Sequence, residues 1–154
     1  MLRQGACRAL IKPRGTAAGL VHPRTVLTQE QRWHKAFELY AHITWRTRWR
    51  EQSVAKRHVG IIAQSVLRAA ERHSMRVLAQ AVLADHVHVL VSYRPDSALT
   101  PFIRDAKSES SRRAESIQWG RGYYAGSVCK RHIMAVRTYI ARQHSHHPHL
   151  IPRG

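Results

Sequence analysis

Two short apolar runs, residues 75–83 and 86–93, are separated only by Ala84 and Asp85. Both runs are rich in valine, and they are too short and too β-branched to be typical helices. Two strands joined by so short a connection pair as an antiparallel hairpin. The chain is therefore predicted to build its fold around this hairpin.

The segment before the hairpin predicts one strand and one helix. Residues 39–45 are rich in β-branched and aromatic types, which favour a strand. After Ser53, a residue type favoured at helix N-caps, apolar residues recur at three- to five-residue steps. This spacing predicts an amphipathic helix of about five turns.

The segment after the hairpin predicts a helix, a strand and a further helix. Thr100 offers a capping hydroxyl, and Pro101 suits the first helical position of a helix that runs to about Ser116. Residues 122–128 predict a strand weakened by glycine, and residues 130–143 predict the last helix. The order βαββαβα predicts an α+β, ferredoxin-like or RRM-like sheet with an added C-terminal helix.

The chain divides into one folded domain and two flanking segments. Its 154 residues are enough for one domain of ordinary size. Residues 1–35 carry glycine, proline and scattered basic residues without periodicity, and they predict a mobile basic arm. Residues 36–147 are predicted to form the folded domain, followed by a tail at residues 148–154.

The charge balance predicts a polyanionic partner. Lys and Arg number 26 against 9 Asp and Glu, so the formal net charge is +17. Nucleic acid is the commonest such partner, because basic side chains release counterions from its phosphates. The alternative is a basic surface that serves only solubility. The candidate DNA contacts, for which simple solvation is the alternative, are Arg46, Arg48, Arg50, Arg104, Lys107, Arg112, Arg113 and Arg121.

Cysteine content and hydropathy argue against a secreted or membrane protein. Cys7 and Cys129 form neither a CxxC pair nor a disulfide framework. No run of 18 apolar residues occurs, so no membrane-spanning helix is predicted. A cytoplasmic protein, associated with the nucleoid when bound to DNA, is expected.

The second strand of the hairpin places two histidines on one face. Side chains alternate along a strand, so His86 and His88 project from one face while Val87, Val89 and Val91 project from the other. Imidazoles about 7 Å apart along a strand are close enough to bind one metal ion. The alternative is a pair of half-exposed histidines without a ligand.

The last predicted helix carries a tyrosine and a glutamine four residues apart. Tyr139 and Gln143 therefore lie on one helix face, one turn from each other. Taken alone, this spacing is more typical of a tyrosine that packs at the edge of the core with its hydroxyl in solvent.

The order of these motifs resembles the single-tyrosine HUH transposases, the insertion-sequence-200-like family that includes the REP-associated tyrosine transposases. The resemblance extends from about Leu39 to His147. Ala84 stands where the family often has proline, and the first strand contains His42. Four matches in the correct order carry the resemblance: residues 85–91, Lys107 with Ser110 and Ser111, Trp119 leading into residues 122–128, and residues 139–147.

The resemblance implies a metal site and a nucleophile. It implies that His86, His88 and the amide oxygen of Gln143 hold Mg²⁺ or Mn²⁺, and that Tyr139 attacks a DNA phosphate to form a 5′-phosphotyrosine link. Two imidazole ligands favour Mn²⁺ over Mg²⁺. The resemblance also implies hairpin-bearing single-stranded DNA as substrate and a homodimer, with no organic cofactor.

Two other functions fit parts of the sequence. A non-catalytic RRM-like module would bind DNA or RNA hairpins on the same sheet, because exposed aromatic residues stack on unpaired bases. The candidates for such stacking, about half of which are expected in the core, are Trp45, Trp49, Trp119, Tyr123 and Tyr124. A basic chromosome-coating protein would need none of the residues that are candidates for catalysis.

Overall fold

The computed structural model describes residues 39–154, which form a four-stranded sheet with helices on both faces. The predicted arm of residues 1–35 lies outside the described residues. Every neighbouring pair of strands is antiparallel, and the strand order is β2-β3-β1-β4. The strands are β1 Leu39–Arg46, β2 Arg76–Val82, β3 His86–Tyr93 and β4 Tyr124–Ser127. This topology is the ferredoxin-like one, so the predicted fold class is confirmed.

Within residues 39–154, four α-helices and three 3₁₀ turns connect or follow the strands. The α-helices are α1 Lys56–Arg72, α2 Leu99–Ala114, α3 Ile133–Ala141 and α4 Gln143–His146. The 3₁₀ turns are Arg48–Arg50, Lys130–His132 and Pro148–Leu150. Among residues 39–154, no helix combines the length and the apolar composition needed to cross a bilayer.

Helix α1 begins later than predicted. Its N-cap is Ala55 rather than Ser53, because the backbone N–H of Val54 donates to the carbonyl of Ala84 and ties this stretch to the β2–β3 turn. Ala55 has no side-chain acceptor for the helix end. Instead, Nδ1 of His58 accepts a hydrogen bond from the Ala55 N–H at 3.2 Å.

Helix α2 begins earlier than predicted and ends two residues sooner. Its N-cap is Ala98, and the hydroxyl of Thr100 lies 2.8 Å from the hydroxyl of Tyr123 rather than capping the helix. Pro101 is tolerated in the first turn, where backbone N–H groups have no helical partner. Glu115, with a φ of 50°, interrupts the helix before Ser116.

Strand β4 is shorter than predicted because the loop before it has other partners. The Lys107 ammonium group donates hydrogen bonds to the carbonyl oxygens of Gly120, Arg121 and Gly122, at 2.6, 3.4 and 3.3 Å. These carbonyls face the lysine on α2 instead of a neighbouring strand. Pairing therefore starts only at Tyr124.

The last predicted helix is divided. Residues 130–132 form a 3₁₀ turn. Helix α3 ends at Ala141 and α4 begins at Gln143, so that Arg142 between them belongs to neither helix. The prediction of Tyr139 and Gln143 on one continuous helix was therefore wrong. The side-chain amide of Gln143 donates to the Tyr139 carbonyl at 3.1 Å, the carbonyl that residue i+4 of a continuous helix would use.

The two faces of the sheet have different cores. One face packs against α1 and α2 through buried side chains that include Ile43, Trp45, Val87, Val89 and Val91. The other face packs against α3 through a smaller cluster of Ala81, Leu83, Leu90 and Ile140. The predicted valine face is confirmed, and the histidines lie on the face that α3 covers.

Candidate active site

The register between β1 and β3 gathers polar side chains on the α3 face of the sheet. His88 is opposite Thr44, and His86 is opposite Arg46. His42 lies two residues before Thr44 on β1 and therefore faces the same side. The two central strands thus bring three histidines together.

The ring nitrogens of these histidines are close to one another. Nε2 of His86 lies 3.0 Å from Nε2 of His88, and Nδ1 of His88 lies 3.0 Å from Nε2 of His42. Nδ1 of His86 lies 2.5 Å from a carboxylate oxygen of Asp85. Burial and then the neighbouring His86, His42 and His147 lower the pKa of His88 to about 3. His88 is therefore neutral at physiological pH and has one nitrogen lone pair available.

The hydrogen bonds at the Nδ1 atoms of His86 and His88 determine whether the two Nε2 atoms carry lone pairs that can bind a cation. A carboxylate only accepts, so Asp85 places the proton of neutral His86 on Nδ1 and leaves Nε2 with a lone pair. If His88 donates from Nδ1 to His42, its Nε2 also carries a lone pair. Two ligand atoms about 2.1 Å from one ion and at right angles to each other lie about 3.0 Å apart. The spacing of the two Nε2 atoms fits a shared cation.

Helix α3 places Tyr139 beside these rings. The Tyr139 ring centroid lies 5.8 Å from that of His88 and 6.0 Å from that of His42, nearly perpendicular to both. The neighbouring Ile140 is buried in the small core and fixes the rotation of the helix. Tyr139 itself is 45% exposed. The phenol is therefore held beside the candidate metal ligands and remains open to a large substrate.

Gln143 is fully buried and has an unpaired oxygen. Its exposed fraction is 0%, and its Oε1 atom has no hydrogen-bond partner. A buried, unpaired polar atom costs about 1–3 kcal/mol. Oε1 of Gln143 is one of three such side-chain atoms among the described residues, and it belongs to the residue that bonds to Tyr139. An unpaired amide oxygen is of the chemical type expected in the ligand set of a divalent cation, although Gln143 does not line the cavity that His86 and His88 share.

In the part of the chain that the structure describes, carboxylates, thiols and further imidazoles do not complete a metal site. Within residues 39–154, no group of three His, Cys, Asp or Glu side chains has the arrangement of a metal site. The histidine-rich end instead makes separate contacts: His144 lies 3.0 Å from the Val82 carbonyl oxygen, and His146 lies beside the Tyr139 ring. The candidate ligand set is therefore two imidazoles and one amide.

A cavity of about 370 Å³ opens onto these residues. His86, His88 and Tyr139 form part of its wall, and Arg46 and Arg50 contribute positive charge. The remaining lining residues are Thr44, Asp85, His147, His149 and Leu150. The cavity therefore combines a candidate nucleophile, candidate metal ligands and cations that suit a phosphate.

Two of the other predicted DNA contacts lie on a neighbouring cavity. Arg48 and Arg121 line this second cavity together with Trp49. The four predicted contacts on α2 line neither of the two cavities. Arg104 and Arg112 are exposed, whereas Lys107 bonds to the loop before β4 and Arg113 lies near Ser65 and Glu109. Their contact with DNA stays a prediction.

Sequence reasoning did not assign a role to His42 or Asp85. The signal for His42 is the period of two in residues 42, 44 and 46, which places polar side chains on one face of β1 while Ile43 and Trp45 are buried. The signal for Asp85 is its position immediately before His86. Both are in contact with the candidate metal ligands.

Comparison with known proteins places the chain in a family. The family described as "Transposase IS200 like" matches residues 35–143. The ISDra2 transposase TnpA of Deinococcus radiodurans is 27% identical over 124 residues, which cover 70% of this chain and 86% of the relative.

Two solved structures share the fold. A crystal structure of a Deinococcus radiodurans transposase aligns with a TM-score of 0.57 at 20% identity, covering 72% of this chain and 95% of that chain. A REP-associated tyrosine transposase bound to a REP hairpin aligns with a TM-score of 0.60 at 13% identity, covering 79% of this chain and 74% of that one. The family match spans most of the described domain and includes the histidine strand and Tyr139, so this chain belongs to the IS200-like transposase family.

Proposed function

We propose that this protein cuts and rejoins single-stranded DNA through a covalent link between Tyr139 and a 5′ phosphate. The observation that carries the proposal is the packing of the Tyr139 ring against His88 and His42 in a cavity lined by Arg46 and Arg50. A nucleophile, candidate ligands for a cation and phosphate-binding groups thus converge within one chain.

The chemistry is a transesterification. The Tyr139 hydroxyl oxygen forms a bond to the phosphorus as the bond from phosphorus to the 3′ oxygen breaks. The phenol loses its proton, and the departing 3′ oxygen gains one to become a free 3′-OH. A phenol has a pKa of about 10, far below that of an alcohol, so a DNA 3′-OH can later displace it. The number of phosphate ester bonds is unchanged, and no nucleotide cofactor is required.

The residues around Tyr139 bind and orient the phosphate. Arg46 and Arg50 offset its charge, and His42 and Asp85 orient the two imidazoles beside it. When bound, a divalent cation, Mg²⁺ or Mn²⁺, would be held by His86, His88 and the Gln143 amide oxygen, and it would supply positive charge to the scissile phosphate.

The substrate and assembly belong to the same proposal. The structural neighbour bound to a REP hairpin supports a hairpin-bearing DNA substrate. A net charge of +17 supports a polyanionic partner. We further propose that the protein acts as a homodimer in the cytoplasm, associated with the nucleoid while bound to DNA.

The test is formation of a covalent protein–DNA band. Labelled, hairpin-bearing single strands are incubated with Mn²⁺ and separated on a denaturing gel. The wild-type protein is expected to give the band, whereas Tyr139→Phe is expected to bind the DNA and give none. Tyr93→Phe is the matched control, because Tyr93 packs against the core of the α1–α2 face. Binding without a band from the wild type, with Mn²⁺ or Mg²⁺, would favour the non-catalytic hairpin-binding module instead.

A further inference from the structure

The largest of three neighbouring cavities lies outside the candidate active site. It has a volume of about 720 Å³ and lies between the 3₁₀ turn Arg48–Arg50 and residues 117–121. Trp49, Trp119, Arg48, Gln118 and Arg121 contribute to its wall. The transesterification described above uses none of these side chains.

Trp49 is presented to solvent by a strained backbone. Its side chain is 79% exposed, and Trp49 and Arg50 have φ angles of 59° and 57°. Non-glycine residues rarely adopt this left-handed region, and such strain is concentrated at binding and catalytic sites. The turn is fixed from both sides, because the Arg48 N–H donates to the Gln118 carbonyl and the Thr47 hydroxyl donates to the Glu51 carbonyl. The exposed position of the indole is therefore built into the fold.

The chemistry of this cavity suits an unpaired nucleobase. The Trp49 indole is a flat stacking surface, and the Arg48 guanidinium lies 5.4 Å from its ring centroid. Arg48 also donates to Oε1 of Gln118 at 3.3 Å. Arg121 is exposed at the same cavity and is available to a phosphate. Aromatic rings flanked by guanidinium groups are the usual platform for single-stranded nucleic acid.

A chain of shared residues connects this cavity to Tyr139. The active-site cavity shares Thr44 and Arg46 with a middle cavity of about 330 Å³. The middle cavity shares Gly120 with the Trp49 cavity, and Tyr123 and Tyr124 line its wall. A strand with its scissile phosphate at Tyr139 can therefore pass the carboxyl-terminal end of β1 to reach Trp49.

We propose that an unpaired base of the cleaved strand, a few nucleotides from the scissile phosphate, stacks on Trp49 in this cavity. The proposal rests on the proposed function for the identity of the strand. It gives Trp49 a binding role in positioning the DNA and no part in the chemical step.

The test measures binding to the full chain carrying Tyr139→Phe, so that no strand is cut. The probe is a fluorescein-labelled DNA hairpin with unpaired thymidine flanks, and the hairpin sets the register of the flanks. Adding Trp49→Ala is expected to weaken binding about 10-fold, the loss of one base stack, whereas Trp49→Phe is expected to stay within about 3-fold. Leu67→Ala, which removes an exposed apolar side chain from α1, is the control and is expected to change nothing.

An abasic scan of the flanks locates the stacked base. One abasic position is expected to weaken binding about 10-fold when Trp49 is present and to have little effect in Trp49→Ala, because both changes remove the same contact. Equal effects of every abasic position in both proteins, or unchanged binding by Trp49→Ala, would overturn the proposal. Thermal unfolding checks that each variant is folded.

The design separates this inference from the proposed function. An unstructured thymidine oligonucleotide without a hairpin is measured in parallel, and Trp49→Ala is expected to weaken its binding too. If the wild type forms no covalent band but the effect of one abasic position depends on Trp49, the base site stands and the enzyme proposal fails. If the band forms but no abasic position has an effect that depends on Trp49, only the base site fails.

Discussion

His42 Nε2 lies 3.0 Å from His88 Nδ1, and the two rings stack with their centroids 5.2 Å apart. One strand thus supplies a candidate metal ligand, and its neighbour supplies the group that orients the ligand. When His88 donates from Nδ1, its Nε2 is left with the lone pair that a cation requires.

Replacing His42 is expected to weaken metal binding without unfolding the protein. His42→Ala removes the acceptor for His88 Nδ1–H, and losing such a partner typically lowers metal affinity 10- to 100-fold. His42→Gln, which keeps an acceptor, is expected to recover part of the loss. Titration with Mn²⁺ followed by electron paramagnetic resonance measures the affinity, and the exposed His132→Ala is the control. Equal Mn²⁺ affinities for His42→Ala and the wild type would contradict the assignment.

Gln143 and Gln80 form a matched pair for testing the amide ligand. Both have an Oε1 atom that is buried and without a partner. Replacing either glutamine by leucine removes the unpaired oxygen, so the free energy of unfolding is expected to change by less than about 1.5 kcal/mol. Only Gln143→Leu is expected to lower Mn²⁺ affinity, because Gln80 lies on β2. Loss of Mn²⁺ binding in both variants, or in neither, would argue against Gln143 as a ligand.

Lys107 is expected to act mainly on the loop before β4. Lys107→Met removes three hydrogen bonds to the carbonyls of residues 120–122 and is expected to lower the free energy of unfolding by about 1–2 kcal/mol. Arg104→Met removes the same charge from an exposed position on α2 and is expected to cost less than about 0.5 kcal/mol. Urea unfolding measures both. Similar costs for the two variants would show that the carbonyl contacts contribute little.

Stability of the metal-free protein is expected to fall as the pH drops from 7 to 5. Burial first, and then the charge of Arg57, lowers the pKa of His58 from 6.5, so the unfolded chain takes up a proton at a pH where the folded protein does not. The stabilisation is complete above pH 6.5 and is lost on acidification. His58→Gln keeps a capping acceptor at the third helical position but does not titrate, so its unfolding free energy should depend less on pH. An unchanged pH dependence in His58→Gln would rule out this contribution.

The salt dependence of DNA binding is expected to identify which arginines contact phosphate. For single strands, log K falls against log[salt] with a slope of about −0.7 per phosphate contacted. Arg46 and Arg50 line the active-site cavity. Arg46→Gln and Arg50→Gln are therefore each expected to reduce the slope by about 0.7. Arg68→Gln is the control and is expected to leave it unchanged, because Arg68 lies on α1, outside the predicted contacts, and pairs with Glu109. Fluorescence anisotropy at several salt concentrations gives the slopes.

The order of elements along the chain and the composition of each sheet face were predictable from local pattern. Alternation in residues 86–91 is enough to separate histidines from valines, because side chains alternate along any strand. The element order also limits the sheet to a few topologies. The element order and the alternation of side chains depend on residues that are close in the sequence, so both can be recognised from one sequence.

Helix ends and hydrogen-bond partners were not predictable in the same way. The start of α1 depends on a hydrogen bond between Val54 and Ala84, and the start of β4 depends on Lys107. The break before Gln143 accompanies a side-chain bond to the Tyr139 carbonyl. Each of these contacts joins atoms whose proximity exists only in the folded chain.

The alternation of β1 and β3 has a consequence for how such a chain can evolve. Both central strands carry hydrophobic core on one side and site residues on the other, with His42 and Arg46 separated by the buried Ile43 and Trp45. Deletion of a single codon within either strand would exchange the two sides and place imidazoles in the core. Descendants of this gene can therefore change these strands by substitution, or by gain or loss of residues in pairs, while the loops remain free to change length one residue at a time.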